Sequence, residues 1–100
     1  MKGVSEIGCL HARIEGRVQG VGFRFFVQDH AQRLNLTGWV RNLGEDEVEV
    51  WAEGPQPELD RLLVLLQRGP QSAYVSAVRV EPETPRGNLK RFQVAPSEWV

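Results

Sequence analysis

The spacing of apolar residues changes from every second residue to a helical period within the first third of this chain. Leu10, Ala12, Ile14 and Val18 all fall on one face of an extended chain, with Gly16 on that face and polar residues on the other, which is the pattern of a strand with one solvent-exposed face. After a glycine-rich stretch, apolar residues recur at the spacing that places them on one side of a helix, predicted from Phe23 to Asn35. A strand, a short loop and a helix therefore form the first unit of the fold.

The later segments show the same two periods. Strands are predicted at Leu36 to Leu43 and at Glu47 to Glu53, close enough to form a hairpin, and a leucine-rich helix opens at Pro57. A regularly alternating strand follows from Tyr74 to Glu81, and a short one from Arg91 to Ala95.

The order strand, helix, strand, strand, helix, strand is the split βαβ plan. It predicts an α+β fold in which two helices cover one face of an antiparallel sheet. The apolar side of each strand faces the helices, and we expect the other face, which carries Arg13, Trp39, Trp51 and several glutamates, to meet solvent. Because this plan hosts many unrelated functions, function has to be argued from individual residues.

Composition limits the class of protein. One hundred residues, of which 41% are hydrophobic, suffice for a single domain over residues 1–100 with one core. The net charge of −1 lacks the basic excess of a general nucleic-acid binder, and no apolar run approaches the roughly 20 residues of a membrane span. Cys9 is the only cysteine, which excludes an internal disulfide and fits a reducing compartment. We expect a cytoplasmic monomer with a small-molecule partner, no nucleic acid and no membrane.

The stretch from Gly16 to Arg24 gives the first indication of function. Gly20 and Gly22 let the backbone take positive φ, so that successive N–H groups converge on one point. The start of a helix favours negative charge, and Arg24 in its first turn adds a planar fork of donors that suits a phosphoryl group. The stretch matches neither G-x-G-x-x-G nor the P-loop, so a nucleotide is not indicated. A tight turn whose glycines serve only the bend is the alternative.

The other polar residues narrow the chemistry. There is no Ser or Cys beside a His at a sharp turn and no H-x-x-x-H or C-x-x-C. Cys9 is interpreted as a small, partly buried residue and His30 as a core or boundary histidine, while His11 falls on the solvent-facing side of its strand. One reaction suits a site made of backbone amides and an arginine, namely hydrolysis of a mixed anhydride between a carboxylate and phosphate. This reaction needs no general acid, because the leaving carboxylate has a pKa of about 4. Asn42, on the helix-facing side of the second strand, is the candidate to orient a water. A buried asparagine bonded to neighbouring backbone is the alternative.

Three segments resemble acylphosphatases. They are GRVQGVGFR at Gly16 to Arg24, LTGWVRNL at Leu36 to Leu43 and VEVWAEGP at Val48 to Pro55, and the match in segment order covers nearly the whole chain. The resemblance implies a ferredoxin-like βαββαβ sandwich that hydrolyses the carboxyl-phosphate bond of acyl phosphates without a metal or cofactor.

The resemblance also implies roles for single residues. By position, the phosphate-binding loop comprises Arg17, Val18, Gln19, Gly20, Val21 and Gly22. Arg24 is then the phosphate-binding arginine and Asn42 the water-orienting asparagine, while the substrate's own phosphoryl oxygens accept the proton of the water.

Two features depart from the family pattern. The turn from Leu43 to Glu47 lacks the glycine that commonly precedes the third strand, and the tail from Ala95 to Val100 is longer than in many members. The departures leave the turn type and the role of the tail open.

Two other functions are alternatives at this point. One is a domain that senses a phosphorylated ligand without turning it over. The other is an RNA-binding module of the same strand and helix order, although the aromatics between Gly22 and Val27 open a helix instead of lying on central strands. Trp39 and Trp51 could stack bases, but the favoured interpretation is that the two rings form a cross-strand aromatic pair that stabilises the hairpin.

Overall fold

A computed structural model of the protein describes residues 6–99. Its elements are β1 (Ile7–Arg17), α1 (Phe23–Arg33), β2 (Thr37–Leu43), β3 (Glu47–Pro55), α2 (Gln56–Arg68), β4 (Tyr74–Glu81) and β5 (Phe92–Val94). The predicted order of strands and helices, with its short fifth strand, is confirmed. Neither helix is long and apolar enough to cross a membrane.

The five strands form one sheet in the order β4-β1-β3-β2-β5. β1 pairs with β3 and β4, and β2 pairs with β3, in each case antiparallel, while β5 runs parallel to the outer edge of β2. Because β3 is inserted between β1 and β2, the first βαβ unit is split, and the ferredoxin-like fold is confirmed.

The core lies between the sheet and the two helices. The helical period predicts the stripe that α2 buries, Leu59, Leu62 and Leu66, and each of these side chains contributes about 2 to 3 kcal/mol by leaving water. α1 buries Phe23 and Val27 on the same side. Since Phe23 is the first residue of α1, the core fixes the point at which the helix begins.

Two predicted helix boundaries need correction. α1 ends at Arg33 rather than Asn35, because Asn35 is left-handed (φ 58°) and the N–H of Leu36 returns to the carbonyl of Ala31. α2 begins one residue before Pro57, which is therefore its second residue and still within the turn where a proline is tolerated.

β4 has the predicted bounds, but a bulge interrupts its alternation. Ser76 is an extra residue between the pairs Glu15–Ala77 and Gly16–Val75. The bulge brings Val75 to the core side of the sheet. The predicted regular alternation is therefore wrong at the start of this strand.

The face of the sheet that points away from the helices is more buried than predicted. Trp51 is 5% and Glu53 3% exposed, because the segment around Arg86 and Gly87 folds across them. The Glu53 carboxylate accepts hydrogen bonds from the Trp51 indole N–H (2.7 Å) and from the backbone N–H groups of Arg86 (2.8 Å) and Gly87 (3.0 Å). The expectation that this whole face meets solvent is wrong, because the loop after β4 satisfies a buried carboxylate there.

Gly38→Ala should destabilise the fold strongly. Gly38 lies in β2 at φ 143°, and a Cβ there would overlap the carbonyl oxygen of Trp51 on β3. We expect a loss of about 3 kcal/mol in the free energy of unfolding, measured with urea, because two paired strands must move apart. Gly87→Ala is the matched control, since its φ of 75° is also positive but nothing lies within 4 Å of the added atom. Equal losses in the two variants would contradict the steric explanation.

Glu53→Gln should make stability less sensitive to acid. Burial alone would raise the pKa of Glu53, but the hydrogen bonds from Trp51, Arg86 and Gly87 outweigh it and hold the pKa below its ordinary value of 4.5. Such a carboxylate contributes stability that is fully present above pH 4.5 and is lost as the pH falls through the folded-state pKa. We expect the variant to be less stable than the parent at pH 7 and to lose less between about pH 5 and pH 3. Urea unfolding across this range measures both, and identical pH profiles would refute the assignment.

Candidate functional site

The loop between β1 and α1 has a backbone shaped for an anion. Gly20 (φ 73°) and Gly22 (φ 79°) are left-handed, and a Cβ on either would meet nothing within 4 Å. These glycines therefore serve the backbone conformation rather than close packing. Val18, 1% exposed, anchors the start of the loop in the core, and the Ser72 hydroxyl donates a hydrogen bond to the Val21 carbonyl (2.9 Å). The loop is held at both sides while its glycines stay open to ligands.

The backbone amides of this loop have no hydrogen-bond acceptor within the described part of the chain. Within residues 6–99, no group accepts a hydrogen bond from the N–H groups of residues 18–25, and the first helical bond of α1 joins the Phe26 N–H to the Gly22 carbonyl (3.0 Å). No side chain caps α1, and its first turn has no acidic residue. The helix dipole adds positive potential at the same place. A row of free donors of this kind suits the several oxygens of one phosphoryl group.

Arg24 and Arg17 lie at the two ends of the predicted site. Arg24 is the second residue of α1, half-buried beside the anchored Phe23, and pairs with no carboxylate among residues 6–99. At the other end of the helix, Arg33 lies 3.2 Å from Asp29. Arg17 is exposed at the end of β1. The guanidinium of Arg24 therefore projects from the same helical turn as the free amides.

Asn42 lies near the end of β2 on the side that faces the helices, as predicted, since Val40 on the same side is fully buried. Its Oδ1 is buried and accepts no hydrogen bond from residues 6–99. The alternative of an asparagine bonded to neighbouring backbone is therefore not observed. A buried acceptor without a partner costs about 1 to 3 kcal/mol, so this position is suited to binding a water or a ligand.

Arg24 and Asn42 lie at the same end of the fold. α1 and β2 are consecutive and pack against each other. Because β1 and β2 both pair antiparallel with β3, they run in the same direction, and α1, which joins them, returns the chain in the opposite direction. From Arg33 back to Arg24 the helix rises about 14 Å, and from Thr37 to Asn42 the strand advances about 17 Å. The two predicted catalytic residues therefore lie at nearly the same level.

Gln19 joins the loop to the hairpin that carries Asn42. Its Nε2 donates hydrogen bonds to the carbonyl oxygens of Gly44 (3.1 Å) and Glu47 (2.9 Å), one on each side of the β2–β3 turn. The sequence does not reveal this contact, because the acceptors are backbone atoms that any residue could supply. The main-chain N–H of Gln19 donates to no group within residues 6–99 and is therefore available to an anion.

The C-terminal segment runs along β2 beside Asn42. The N–H of Glu98 donates to the carbonyl of Asn42 (2.9 Å), and the carbonyl of Glu98 accepts from the N–H of Gly44 (2.7 Å). Trp99 and residues 43–47 line a cleft of about 330 Å³. Neither this cleft nor one of about 280 Å³ beside β3 includes a residue of the loop 17–22.

Cys9 and His30 have structural environments, as interpreted from the sequence. Burial, together with the carboxylates of Glu53 and Glu83, raises the pKa of the Cys9 thiol to about 11, so little of the reactive thiolate exists at neutral pH. The His30 ring lies edge-on to Phe26, with 4.6 Å between the ring centroids.

His11, Glu81 and Glu83 could supply metal ligands. One ligand atom of each lies within 4.8 Å of the others. Both ring nitrogens of His11 already contact carboxylates, Nε2 that of Glu49 (2.7 Å) and Nδ1 that of Glu83 (3.0 Å). The group lies on the face of the sheet opposite Asn42, so it does not belong to the candidate site.

Trp39 and Trp51 form the cross-strand pair that the sequence favours. They are directly opposite in register, with ring centroids 6.4 Å apart and planes 15° apart. The guanidinium groups of Arg41 and Arg86 lie over Trp39 and Trp51 respectively. Rings stacked on each other and covered by arginines are poorly placed to stack bases.

The sequence and the fold are both similar to those of acylphosphatases. The acylphosphatase family model matches residues 10–94. An acylphosphatase of Koribacter versatilis is 49% identical over 81 residues, which are 81% of this chain and 74% of that protein. The crystal structure of an acylphosphatase from Bacillus subtilis has a TM-score of 0.84 and 33% identity, and the match covers 90% of this chain and 99% of that one.

A similar unit also occurs within a larger protein. Full-length HypF, crystallised in a phosphate- and nucleotide-bound form, matches with a TM-score of 0.87 and 27% identity. The match covers 98% of this chain but 13% of HypF.

Proposed function

This chain belongs to the acylphosphatase family, whose members hydrolyse the carboxyl-phosphate bond of acyl phosphates, and we propose that Arg24, the loop amides and Asn42 perform that reaction here. The products are a carboxylate and inorganic phosphate. One observation carries the assignment: the loop whose amides at residues 18–25 have no acceptor within residues 6–99 is bonded through Gln19 to the β2–β3 turn. This turn directly follows Asn42, whose buried Oδ1 also has no partner within those residues.

The loop and Arg24 hold the phosphoryl group. The amides of residues 18–22 and of the first turn of α1 donate to its oxygens, and Arg24 donates from the same turn. Arg17 adds positive charge at the start of the loop. In phosphoryl transfer the charge spreads over the transferring oxygens, and donors that are already oriented stabilise it without reorganising.

Asn42 orients the attacking water. Its Oδ1 accepts a hydrogen bond from the water, which directs a lone pair of the water towards the phosphorus. Because the displacement is in line, the acyl group leaves on the side away from Asn42. The unpartnered Oδ1 supports this role, since a buried acceptor left empty destabilises the fold without benefit to structure.

The reaction does not require a protein side chain to donate or accept a proton. An O–P bond forms from the water, the bond between phosphorus and the acyl oxygen breaks, and the carboxylate departs unprotonated because its pKa is about 4. A phosphoryl oxygen of the substrate takes the proton of the water and becomes part of the inorganic phosphate. No metal ion or cofactor enters this scheme.

The alternative functions account for less of the site. A domain that only senses a phosphorylated ligand needs the loop. The buried Oδ1 of Asn42, which has no partner within residues 6–99, would contribute nothing to such a domain. An RNA-binding module needs open aromatic surfaces, whereas Trp39 and Trp51 stack on each other under two arginines. Acyl phosphate hydrolysis uses both the loop and Asn42.

We also propose that residues 1–100 work as a single-domain monomer in the cytoplasm. Exposed large apolar side chains such as Phe25, Val64 and Tyr74 lie on three different elements, which supports a monomer. Cys9 is the only cysteine of the sequence, so no internal disulfide forms, which suits a reducing compartment. Gel filtration tests the oligomeric state, and elution at the mass of two chains would contradict the proposal.

Arg24→Gln and Asn42→Ala should impair different steps. Arg24→Gln removes a charged donor from the phosphoryl group, so phosphate affinity and kcat fall together, kcat by roughly 100-fold or more. Asn42→Ala leaves the loop intact, so phosphate affinity stays near that of the parent while kcat falls by about 100-fold. The measurements are phosphate release from benzoyl phosphate, with a chelator present, and competitive inhibition by inorganic phosphate.

Arg33→Gln is the matched control, because this arginine lies on the same helix but pairs with Asp29 in an exposed ion pair of small energetic effect. It should keep the kcat of the parent. An active Asn42→Ala variant would remove the asparagine from its assigned role, and unchanged phosphate affinity in Arg24→Gln would remove the arginine from the binding site.

A further inference from the structure

We propose that the main chain of Glu98 positions Asn42 for catalysis, an inference that rests on the proposed role of that asparagine. Glu98 forms a parallel bridge with Leu43, outside the regular strands. Its N–H donates to the carbonyl of Asn42 (2.9 Å), and its carbonyl accepts from the N–H of Gly44 (2.7 Å). The two bonds hold the last part of β2 from its outer edge.

β5 leaves this part of β2 uncovered. Pairing between β5 and β2 ends at Val40, whose carbonyl accepts a hydrogen bond from the N–H of Ala95 (2.8 Å). Pro96 has no N–H with which to continue the ladder, and the chain returns to the edge of β2 only at Glu98. Without that bridge, the outer backbone groups beyond Val40 would face water, and such strand ends open easily.

The direction of the Asn42 side chain depends on its backbone. Its Oδ1 accepts no hydrogen bond from residues 6–99 that would fix the amide independently. Positioning of the attacking group is demanding, since a displacement of about 1 Å can cost roughly 100-fold in rate. Whatever holds the backbone of Asn42 therefore also aims the water.

The bridge also connects Asn42 to the phosphate loop. Gly44 donates its N–H to Glu98, and its carbonyl accepts a hydrogen bond from Gln19 of the loop (3.1 Å). One continuous set of bonds thus runs from the loop through Gly44 to Glu98 and Asn42. This set relates the position of the water to that of the phosphoryl group.

The main chain carries this role rather than the side chains. The Glu98 carboxylate lies 3.6 Å from the Arg41 guanidinium, but it is 55% exposed, and exposed ion pairs contribute little. Trp99 is 68% exposed and lines the cleft beyond the bridge.

Deletion of residues 97–100 tests the proposal. The shortened enzyme keeps β5 and the bond between Ala95 and Val40 but loses the bridge. We expect kcat on benzoyl phosphate to fall roughly 10- to 100-fold, while the inhibition constant for inorganic phosphate stays within about twofold of the full-length value. Trp99→Ala is the matched control, because it removes the largest deleted side chain, keeps the Glu98 backbone and should keep the parent kcat.

A double-variant cycle separates positioning from general loosening. In an Asn42→Ala background the same deletion should change kcat by less than about twofold, because no amide remains to be positioned. Glu98→Pro, which removes the N–H but keeps the chain length, should lower kcat in the same direction and serves if the shortened chain is unstable.

Three results would overturn the proposal: a shortened enzyme and a Glu98→Pro variant with the parent kcat, an equal loss in both backgrounds, or a Trp99→Ala variant that reproduces the loss. A full-length enzyme that releases no phosphate from benzoyl phosphate would instead overturn the proposed function.

Discussion

Burial of Val18 and Phe23 on either side of the glycine loop is the constraint on which the site depends. Each is 1% exposed, so the loop is pinned to the core at both ends while Gly20 and Gly22 between them are exposed. Backbone amides can then remain without partners, because core packing offsets the free energy that the missing hydrogen bonds would have contributed. Hydrophobic contacts, together with the hydrogen bonds of Ser72 and Gln19, therefore hold the loop, and its main-chain donors stay available for the proposed ligand.

The two faces of the sheet have different tasks. The helix-facing side provides the core, the start of α1 and Asn42. The other side is closed by hydrogen bonds and aromatic contacts, with Glu53 beneath the loop after β4 and His11 between two carboxylates. Polar networks on that second side satisfy buried groups without drawing on the loop amides that are proposed to bind the phosphoryl group.

The sequence predicts the element order, the helix-facing positions and the loop because these depend on local periodicity and on glycine. It also points to Arg24 and Asn42 through motifs that resemble those of a known family. It does not predict the bulge at Ser76, the burial of Glu53 or the contacts of Gln19 and Glu98. Each of these depends on backbone atoms distant in the chain, and backbone atoms carry no residue-specific signal.

The strand order also has a consequence for how the protein acquires activity. β1 pairs with residues far along the chain, Ile7 with Pro55 and His11 with Glu81, so contacts between distant segments dominate the sheet. Chains with such contacts fold slowly, because long loops must close before any pairing stabilises them. The glycine loop follows β1 directly, and β1 is held on both sides by these pairings. We therefore expect recovery of activity after dilution from denaturant to follow the pairing of β1 with β3 and β4.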